Sequence, residues 1–178
     1  MSREVTLTGR ERTFPSDEII VSKTDPQGRI TYANDVFLDV SGYREEEIMG
    51  QPHSIIRHPS MPRCVFKLLW DTISSGEEIF AYVNNRAKNG DNYWVLAHVT
   101  PNRDVSNGSI IGYHSSRRSP KPEALKVISP IYQKLLEEEQ RHSDRKVGMQ
   151  AAYQMMVDLV KKSGFTNYHQ FIFSVING

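Results

Sequence analysis

Residues 79–100 read IFAYVNNRAKNGDNYWVLAHVT, and this stretch decides the fold. Two runs rich in β-branched and aromatic residues flank the turn sequence Lys88-Asn89-Gly90-Asp91. Asn-Gly is the strongest short hairpin signal, because both central residues of a type I′ turn need a positive φ angle. The stretch therefore predicts two antiparallel strands, from Ile79 to Ala87 and from Tyr93 to Thr100.

Shorter β-prone runs lie on both sides of this hairpin. Residues 108–116 form one run after a polar loop. Residues 18–32 contain two runs separated by Asp25-Pro26-Gln27-Gly28, in which Pro fixes φ and Gly permits a positive φ. We therefore expect a second hairpin near the N-terminus and five strands altogether.

Between the two hairpins, the apolar residues change to helical spacing. A short helix is predicted after Asn34, which has a side chain suited to an N-cap, and a longer amphipathic helix from Met61 to Ser74. The short helices are too short to be stable alone and need a sheet to pack on. The order of elements indicates an α+β fold, with a five-stranded antiparallel sheet and short helices on one face.

The tail beyond residue 118 has a different pattern. Helical spacing of apolar residues predicts a helical extension over residues 119–178, with a helix start at Ser129-Pro130 because Pro fits the first helical position. The predicted organisation is an N-terminal arm at 1–16, a domain at 17–118 and this extension.

The stretch HSIIRHPSMP, residues 53–62, predicts a basic corner before the longer helix. Pro59 favours an extended His58, and Pro62 suits the first turn of the next helix. A rigid corner that carries Arg57 and His58 beside a helix N-terminus suits a small anionic ligand. A simple helix–helix corner with solvated side chains has the same sequence pattern.

The composition excludes several classes of function. A net charge of +1 provides no overall field towards nucleic acid or a membrane surface. Cys64 is the only cysteine, so we expect no intrachain disulfide and a reducing, cytoplasmic setting. We also expect neither a secretory signal nor a membrane span, because no apolar run reaches about 18 residues. The histidine spacing contains no metal-binding pattern such as H-E-x-x-H.

Five motifs, taken in order, resemble the PAS domain and, more narrowly, the PAS module of bacterial aerotaxis receptors. They are Asp25-x-x-Gly-x-Ile30-Thr31-Tyr32-Ala33-Asn34, Ser41-Gly42-Tyr43, Gly50-Gln51-Pro52-His53, Arg57-His58-Pro59-x-Met61-Pro62 and Lys88-Asn89-Gly90-Asp91-x-Tyr93-Trp94-Val95. The resemblance covers residues 15–118. Each tripeptide alone is weak evidence, but the ordered set is specific.

The resemblance implies a cofactor and a function. Modules of this family hold FAD non-covalently and report redox state or oxygen supply to a signalling partner. By motif position, the implied cofactor-binding residues are Asn34, Arg57, His58, Trp70, Asn85 and Tyr93. The amide of Asn85 would meet a polar edge of the isoalloxazine ring. Trp70 and Tyr93 would supply flat apolar walls. Arg57 and His58 would meet the pyrophosphate.

The resemblance also implies partners. A module of this kind would signal through a chemoreceptor or kinase in trans, or through its own homodimer.

Two alternative functions stay open at this stage. The first is a haem-binding gas sensor, in which His53 or His58 would be the axial ligand. The second is a cofactor-free interaction module. Two departures from the family pattern favour the second alternative, namely Ser60 where aerotaxis receptors tend to carry Asp, and Ile79 near the place of an expected Trp.

We predict that the chain is not an enzyme. No nucleophile, base and acid form a recognisable set, and the Glu runs at 45–47 and 137–139 are typical of solvated helix faces. Cys64 does not stand in the Asn-Cys-Arg-Phe setting of light-sensing PAS proteins, so we expect no photochemical adduct.

Overall fold

The computed structural model describes residues 5–178. The strands of this range are β1 (Ile20–Thr24), β2 (Ile30–Ala33), β3 (Ile79–Arg86), β4 (Asn92–Arg103) and β5 (Ile110–Arg118). Its α-helices are α1 (Asp35–Ser41), α2 (Glu45–Ile48), α3 (Arg63–Ser74), α4 (Pro122–Gln140), α5 (Arg145–Lys162) and α6 (Tyr168–Asn177). A 3₁₀ helix, His53–Ile56, lies between α2 and α3.

The five strands form one antiparallel sheet in the order β2-β1-β5-β4-β3. Two hairpins, β1–β2 and β3–β4, pair strands that are neighbours in sequence. Strand β5 lies between them and pairs with both β1 and β4. The predicted α+β fold and both predicted hairpins are confirmed.

The turn of the β3–β4 hairpin is fixed by Gly90 and Asp91. Gly90 has a φ angle of 95°, which glycine adopts without strain. The Asp91 carboxylate accepts hydrogen bonds from Thr8 Oγ1 (2.5 Å), Asn89 Nδ2 (2.8 Å) and Arg12 Nε (3.0 Å). These bonds hold the pKa of Asp91 well below its usual range. Asp91 therefore ties the N-terminal segment to the hairpin.

The predicted N-terminal arm, residues 1–16, lies partly outside the described residues. Its described part pairs with the start of β4, where the Arg12 N–H donates to the Asn92 carbonyl (2.7 Å) and the Asn92 N–H donates to the Arg10 carbonyl (2.9 Å). The arm is thus attached to the sheet by backbone hydrogen bonds.

Helix α1 begins and ends at the residues that the sequence favours. Asn34 is the N-cap, and its Oδ1 accepts a hydrogen bond from the Phe37 N–H (3.0 Å). Gly42 ends the helix with a φ angle of 72°, and its N–H donates to the Leu38 carbonyl (2.8 Å). Phe37 is buried at 1% exposure, so the helix packs through that side chain.

The chain divides into two compact units. The sheet unit runs through His58 and continues over Ile73–Ser119. The helical unit combines Pro59–Thr72 with Pro120–Gly178. Most of α3 thus groups with the tail helices, whereas the predicted domain boundaries at residues 17 and 118 stay a prediction.

Within the helical unit, the predicted helix start at Ser129-Pro130 is wrong, because α4 continues through Pro130. An internal proline costs about 3 kcal/mol. The buried side chains of α4, which include Ile128, Tyr132 and Leu135, form a continuous stripe on one face. Each such side chain contributes about 1.5–3 kcal/mol when fully buried, so packing outweighs the lost hydrogen bond.

Across the described part of the chain, no helix combines the length and the apolar character needed to cross a bilayer.

Candidate ligand-binding site

One face of the sheet carries an unusual number of buried polar side chains. Opposed residues of antiparallel strands project to the same face, and faces alternate along each strand. The register places on the inner face, among others, Ile20, Ser22, Ala33, Ile79, Ala81, Val83, Asn85, Tyr93, Val95, Ala97, Val99, Tyr113, Ser115 and Arg117. All of these residues are buried.

Three polar atoms on the inner face lack a hydrogen-bond partner among residues 5–178. They are Asn85 Nδ2, Ser115 Oγ and Arg117 Nη1. The exposed fractions of these residues are only 3%, 8% and 3%. Leaving one buried polar group unpaired costs about 1–3 kcal/mol, so folded proteins rarely retain three on one face without a purpose. The inner face is therefore suited to a polar ligand.

Asn85 and Tyr93 are direct neighbours on this face. They are opposed across β3 and β4, and Tyr93 is 1% exposed. Burial raises the pKa of the Tyr93 hydroxyl above its usual range, so the ring is neutral at physiological pH. The pair combines an amide able to donate and accept with a flat, uncharged ring.

Arg117 is the central charged group of the inner face. Its Nη2 donates to Ser22 Oγ (2.7 Å) and lies 2.6 Å from His53 Nε2. Its guanidinium carbon lies 5.5 Å from the centroid of the Phe37 ring, within cation–π range. No carboxylate forms an ion pair with Arg117 within the range that the structure describes. Burial lowers the pKa of Arg117 to about 10, which still leaves it charged at neutral pH.

His53 reaches the inner face from the 3₁₀ helix. Its Nε2 is 3.3 Å from Ser22 Oγ, and its ring meets the Phe37 ring edge-on with the centroids 6.3 Å apart. Burial, together with the nearby charge of Arg117, lowers the pKa of His53 to about 3. His53 is therefore a neutral imidazole, and its Nε2 accepts a hydrogen bond from Arg117 Nη2.

The basic corner lies at the end of β3 within the same unit. The backbone of Arg57 forms an antiparallel bridge with Asn85, and Arg86 Nη2 donates to the Ile55 carbonyl (3.2 Å). Partial burial lowers the pKa of His58, and the charge of Arg86 lowers it further. The structure thus brings four of the six predicted site residues, Arg57, His58, Asn85 and Tyr93, into one neighbourhood.

Asn34 has a different environment. Its Oδ1 accepts hydrogen bonds from the N–H groups of Val21 (2.9 Å) and Phe37 (3.0 Å), and its Nδ2 donates to the Ile19 carbonyl (2.8 Å). The side chain therefore joins β1 to α1. Contact between Asn34 and a cofactor stays a prediction.

Trp70 lies on α3 in the helical unit, with 38% of its surface exposed. Its predicted part in the site also stays a prediction. On the same helix, burial and the Glu139 carboxylate raise the pKa of the Cys64 thiol to about 12. Cys64 is therefore an unreactive thiol at neutral pH.

Sequence reasoning missed Ser22, Ser115 and Arg117, and considered His53 only as a haem ligand. The sequence of β5 contains an alternating pattern that could have located Ser115 and Arg117. In it, Tyr113, Ser115 and Arg117 alternate with His114, Ser116 and Arg118. Alternation alone leaves open which set faces inward. The pairing of β5 with β1 and β4 decides this, and the pairing joins residues far apart in sequence.

Residues 30–116 match the family model described as the PAS fold. Together with the sheet and helices described above, this match shows that residues 30–116 form a PAS domain. The PAS prediction from the sequence is confirmed.

Two proteins that are similar in sequence support the PAS assignment. The chain is 42% identical over 135 residues to the aerotaxis receptor of Escherichia coli (strain K12), which covers 76% of this chain and 26% of the receptor. It is 28% identical over 104 residues to phototropin-1A of Oryza sativa subsp. japonica, which covers 58% of this chain and 11% of that protein. The chain thus spans about a quarter of the receptor that it matches.

A solved structure agrees with the fold. The light-state structure of the blue-light photoreceptor Aureochrome1 LOV superimposes with a TM-score of 0.53 at 28% identity, covering 69% of this chain and 91% of that chain. The chain therefore carries a PAS domain that is similar to part of the aerotaxis receptor.

Proposed function

We propose that this PAS domain binds FAD non-covalently and relays redox state or oxygen supply to a signalling partner in the cytoplasm. The observation that carries the proposal is the Nδ2 atom of Asn85, a buried amide donor without a hydrogen-bond partner among the described residues, next to the buried ring of Tyr93. The relationship to an aerotaxis receptor supports the same ligand class.

The chemistry of the inner face fits a flavin. An isoalloxazine ring is flat and largely apolar, and its pyrimidine end carries carbonyl and N–H groups. The Asn85 amide can serve either kind of group, because it has both donor and acceptor atoms. Tyr93 and the aliphatic residues of β4 supply apolar surface, which small-molecule sites need. Bound FAD would supply reversible electron uptake.

The basic corner suits the other end of FAD. Arg57 and His58 follow the 3₁₀ helix directly, and a guanidinium pairs well with phosphate oxygens. The backbone bridge between Arg57 and Asn85 joins this corner to the inner face. We propose that Arg57 and His58 hold the pyrophosphate, with Trp70 and Asn34 as further contacts.

The relay would start at the sheet. A change of charge on the ligand alters the hydrogen bonds that Asn85 makes, and a sheet with two alternative bonding patterns can pass that change to the helices beyond Ser119. The partner would be a chemoreceptor or a kinase in trans, or a second copy of the chain.

The test is an absorption spectrum of the freshly purified protein. We expect flavin bands in the near-ultraviolet and blue, and FAD in the supernatant after heat denaturation, identified by chromatography. Asn85→Ala and Arg57→Ala should each reduce the FAD content. His98→Ala is the matched control, because His98 lies on the opposite face of β4 and pairs with Glu78 (2.6 Å).

Each other result would contradict the proposal. A red protein with the spectrum of an imidazole-ligated haem would favour the gas sensor. A colourless protein that takes up no added FAD would favour the cofactor-free module.

A further inference from the structure

We propose that Arg117 contacts the ligand directly and selects a molecule whose buried edge accepts hydrogen bonds and carries negative charge density. The identification of that edge as the carbonyl-bearing pyrimidine end of a flavin rests on the proposed function. None of the sequence motifs that predicted the site includes Arg117.

The hydrogen bonds of Arg117 leave one side of the guanidinium available. Nη2 serves both Ser22 Oγ and His53 Nε2, whereas Nη1 is buried and has no partner within residues 5–178. A guanidinium presents its donors in one rigid plane, so fixing Nη2 also fixes the direction of Nη1. The protein therefore fixes the direction of the Nη1 donor, but no described residue accepts a hydrogen bond from it.

The charge of Arg117 is unbalanced within the described chain. The residue is 3% exposed, and its neighbours include a hydroxyl, a neutral imidazole, the Phe37 ring and the neutral Tyr93 phenol. A cation that served only the fold would be expected to pair with a carboxylate, because a lone buried charge loses its hydration without compensation. The missing countercharge would come from the ligand.

The neighbours of Arg117 hold it in this orientation. Phe37 lies against the guanidinium, and Ser22 and His53 fix its position from β1 and from the 3₁₀ helix. Ser115 is opposed to Ser22 across β1 and β5, and its buried Oγ is the next unpartnered atom on the inner face. Arg117 and Ser115 together offer a ligand one charged donor and one hydroxyl.

The experiment compares FAD affinity with the stability of the ligand-free protein. The variants are Arg117→Met, which keeps an aliphatic stem and removes the charge, and Arg117→Gln, which also removes the charge but keeps a shorter, neutral amide donor. Arg118→Met is the matched control, because Arg118 is the exposed neighbour on the other face of β5. Quenching of flavin fluorescence measures Kd, and thermal denaturation of the full chain without FAD measures Tm.

We expect both Arg117 variants to bind FAD roughly 10- to 100-fold more weakly than the wild type, the range of one lost charge-assisted hydrogen bond. We expect the Tm of the ligand-free protein to be unchanged or raised, because a lone buried charge opposes folding. The control should match the wild type in both measurements.

Two results would overturn the inference. One is an unchanged Kd for FAD in folded Arg117→Met. The other is a lowered Tm, or failure to fold, for both Arg117 variants without ligand, since that result assigns Arg117 to the fold.

If the wild type binds no FAD at all, the flavin assignment is wrong. The Tm values of the ligand-free wild type and Arg117 variants then decide whether Arg117 serves a ligand or the fold. A raised or unchanged Tm then supports a cation kept for a ligand, and a lowered Tm overturns that role.

Discussion

Glu139 on α4 accepts a hydrogen bond from the backbone N–H of Cys64, at the start of α3, at 2.8 Å. Its second carboxylate oxygen is 3.2 Å from Arg63 Nε, and the residue is only 4% exposed. The first N–H groups of a helix have no intrahelical partner and favour negative charge. Glu139 therefore acts as a distant N-cap for α3, supplied by a helix more than seventy residues further along the chain.

Replacing Glu139 by Ala should destabilise the protein strongly. The change leaves the Cys64 N–H and the Arg63 guanidinium without this acceptor. Loss of one partner of a fully buried pair costs about 3–5 kcal/mol, and this value is the upper limit here because the Arg63 side chain is 24% exposed. Glu139→Gln should cost less, because it keeps an acceptor for the Cys64 N–H. Chemical denaturation of both variants measures the change in the free energy of unfolding.

The control for this prediction is Glu137→Gln, two residues earlier on the exposed face of α4. Its effect should stay within about 0.5 kcal/mol. An equally small effect of Glu139→Ala would mean that the cap contributes nothing.

The same contact predicts a low reactivity for Cys64. Burial and the Glu139 carboxylate raise the pKa of its thiol to about 12, so only about one thiol in ten thousand is ionised at pH 8. A thiol reagent such as DTNB should react with the native protein no faster than the protein unfolds. Glu139→Ala should speed the reaction, and rapid labelling of the native wild type would contradict this account.

How far the sequence predicts this structure depends on the range of the interactions. The β3–β4 hairpin follows from local chemistry, because Gly90 adopts the positive φ that the loop needs. Asn89 keeps a negative φ, so the loop is not the type I′ turn that Asn-Gly favours. Helix α1 follows from Asn34 and Gly42 in the same way. The pairing of β5 with β1 joins residues such as Ser115 and Ser22, and no local pattern encodes that contact.

The site shows the same limit. Asn85 and Tyr93 are opposed within one hairpin, so a motif that spans the turn can locate both. Arg117 and Arg118 look equivalent in the sequence, and only the strand register makes one buried and the other exposed. Helix α4 could not be bounded either, because the burial that outweighs the cost of Pro130 comes from tertiary packing.

Protonation of His53 should destabilise the protein at acid pH. Burial and the charge of Arg117 lower its pKa to about 3 in the folded state, against about 6.5 in the unfolded chain. Below pH 6.5 the unfolded state therefore binds more protons, and the stability that the neutral imidazole contributes above that pH is lost as the pH falls. The contribution of His53 to the free energy of unfolding falls by at most about 1.4 kcal/mol per pH unit.

His53→Gln should weaken the dependence of stability on pH, because Gln keeps an acceptor for Arg117 and does not titrate. Thermal denaturation between about pH 7 and pH 4.5, above the range in which most carboxylates titrate, measures the effect. His98→Gln, on the other face of the sheet, should retain the slope of the wild type. A wild-type Tm that does not change over this range would show that His53 is not held neutral.

If the proposed function is correct, Arg117 should also tune the reduction potential of the FAD. Each electron delivered by a viologen-class reductant makes the flavin ring more negative unless a proton follows, and a nearby buried cation stabilises that charge. Removing the cation in Arg117→Met should shift the midpoint potential to more negative values by some tens of millivolts, where about 59 mV corresponds to a tenfold change for one electron. The measurement is a dye-coupled reductive titration at saturating FAD, which compensates for the weaker binding.

The control is Arg118→Met, which removes a charge from the exposed face and should leave the potential near that of the wild type. A potential that stays constant in Arg117→Met while Kd rises would mean that the guanidinium positions the ring through hydrogen bonding alone, and that its charge does not act on the electrons that the ring takes up.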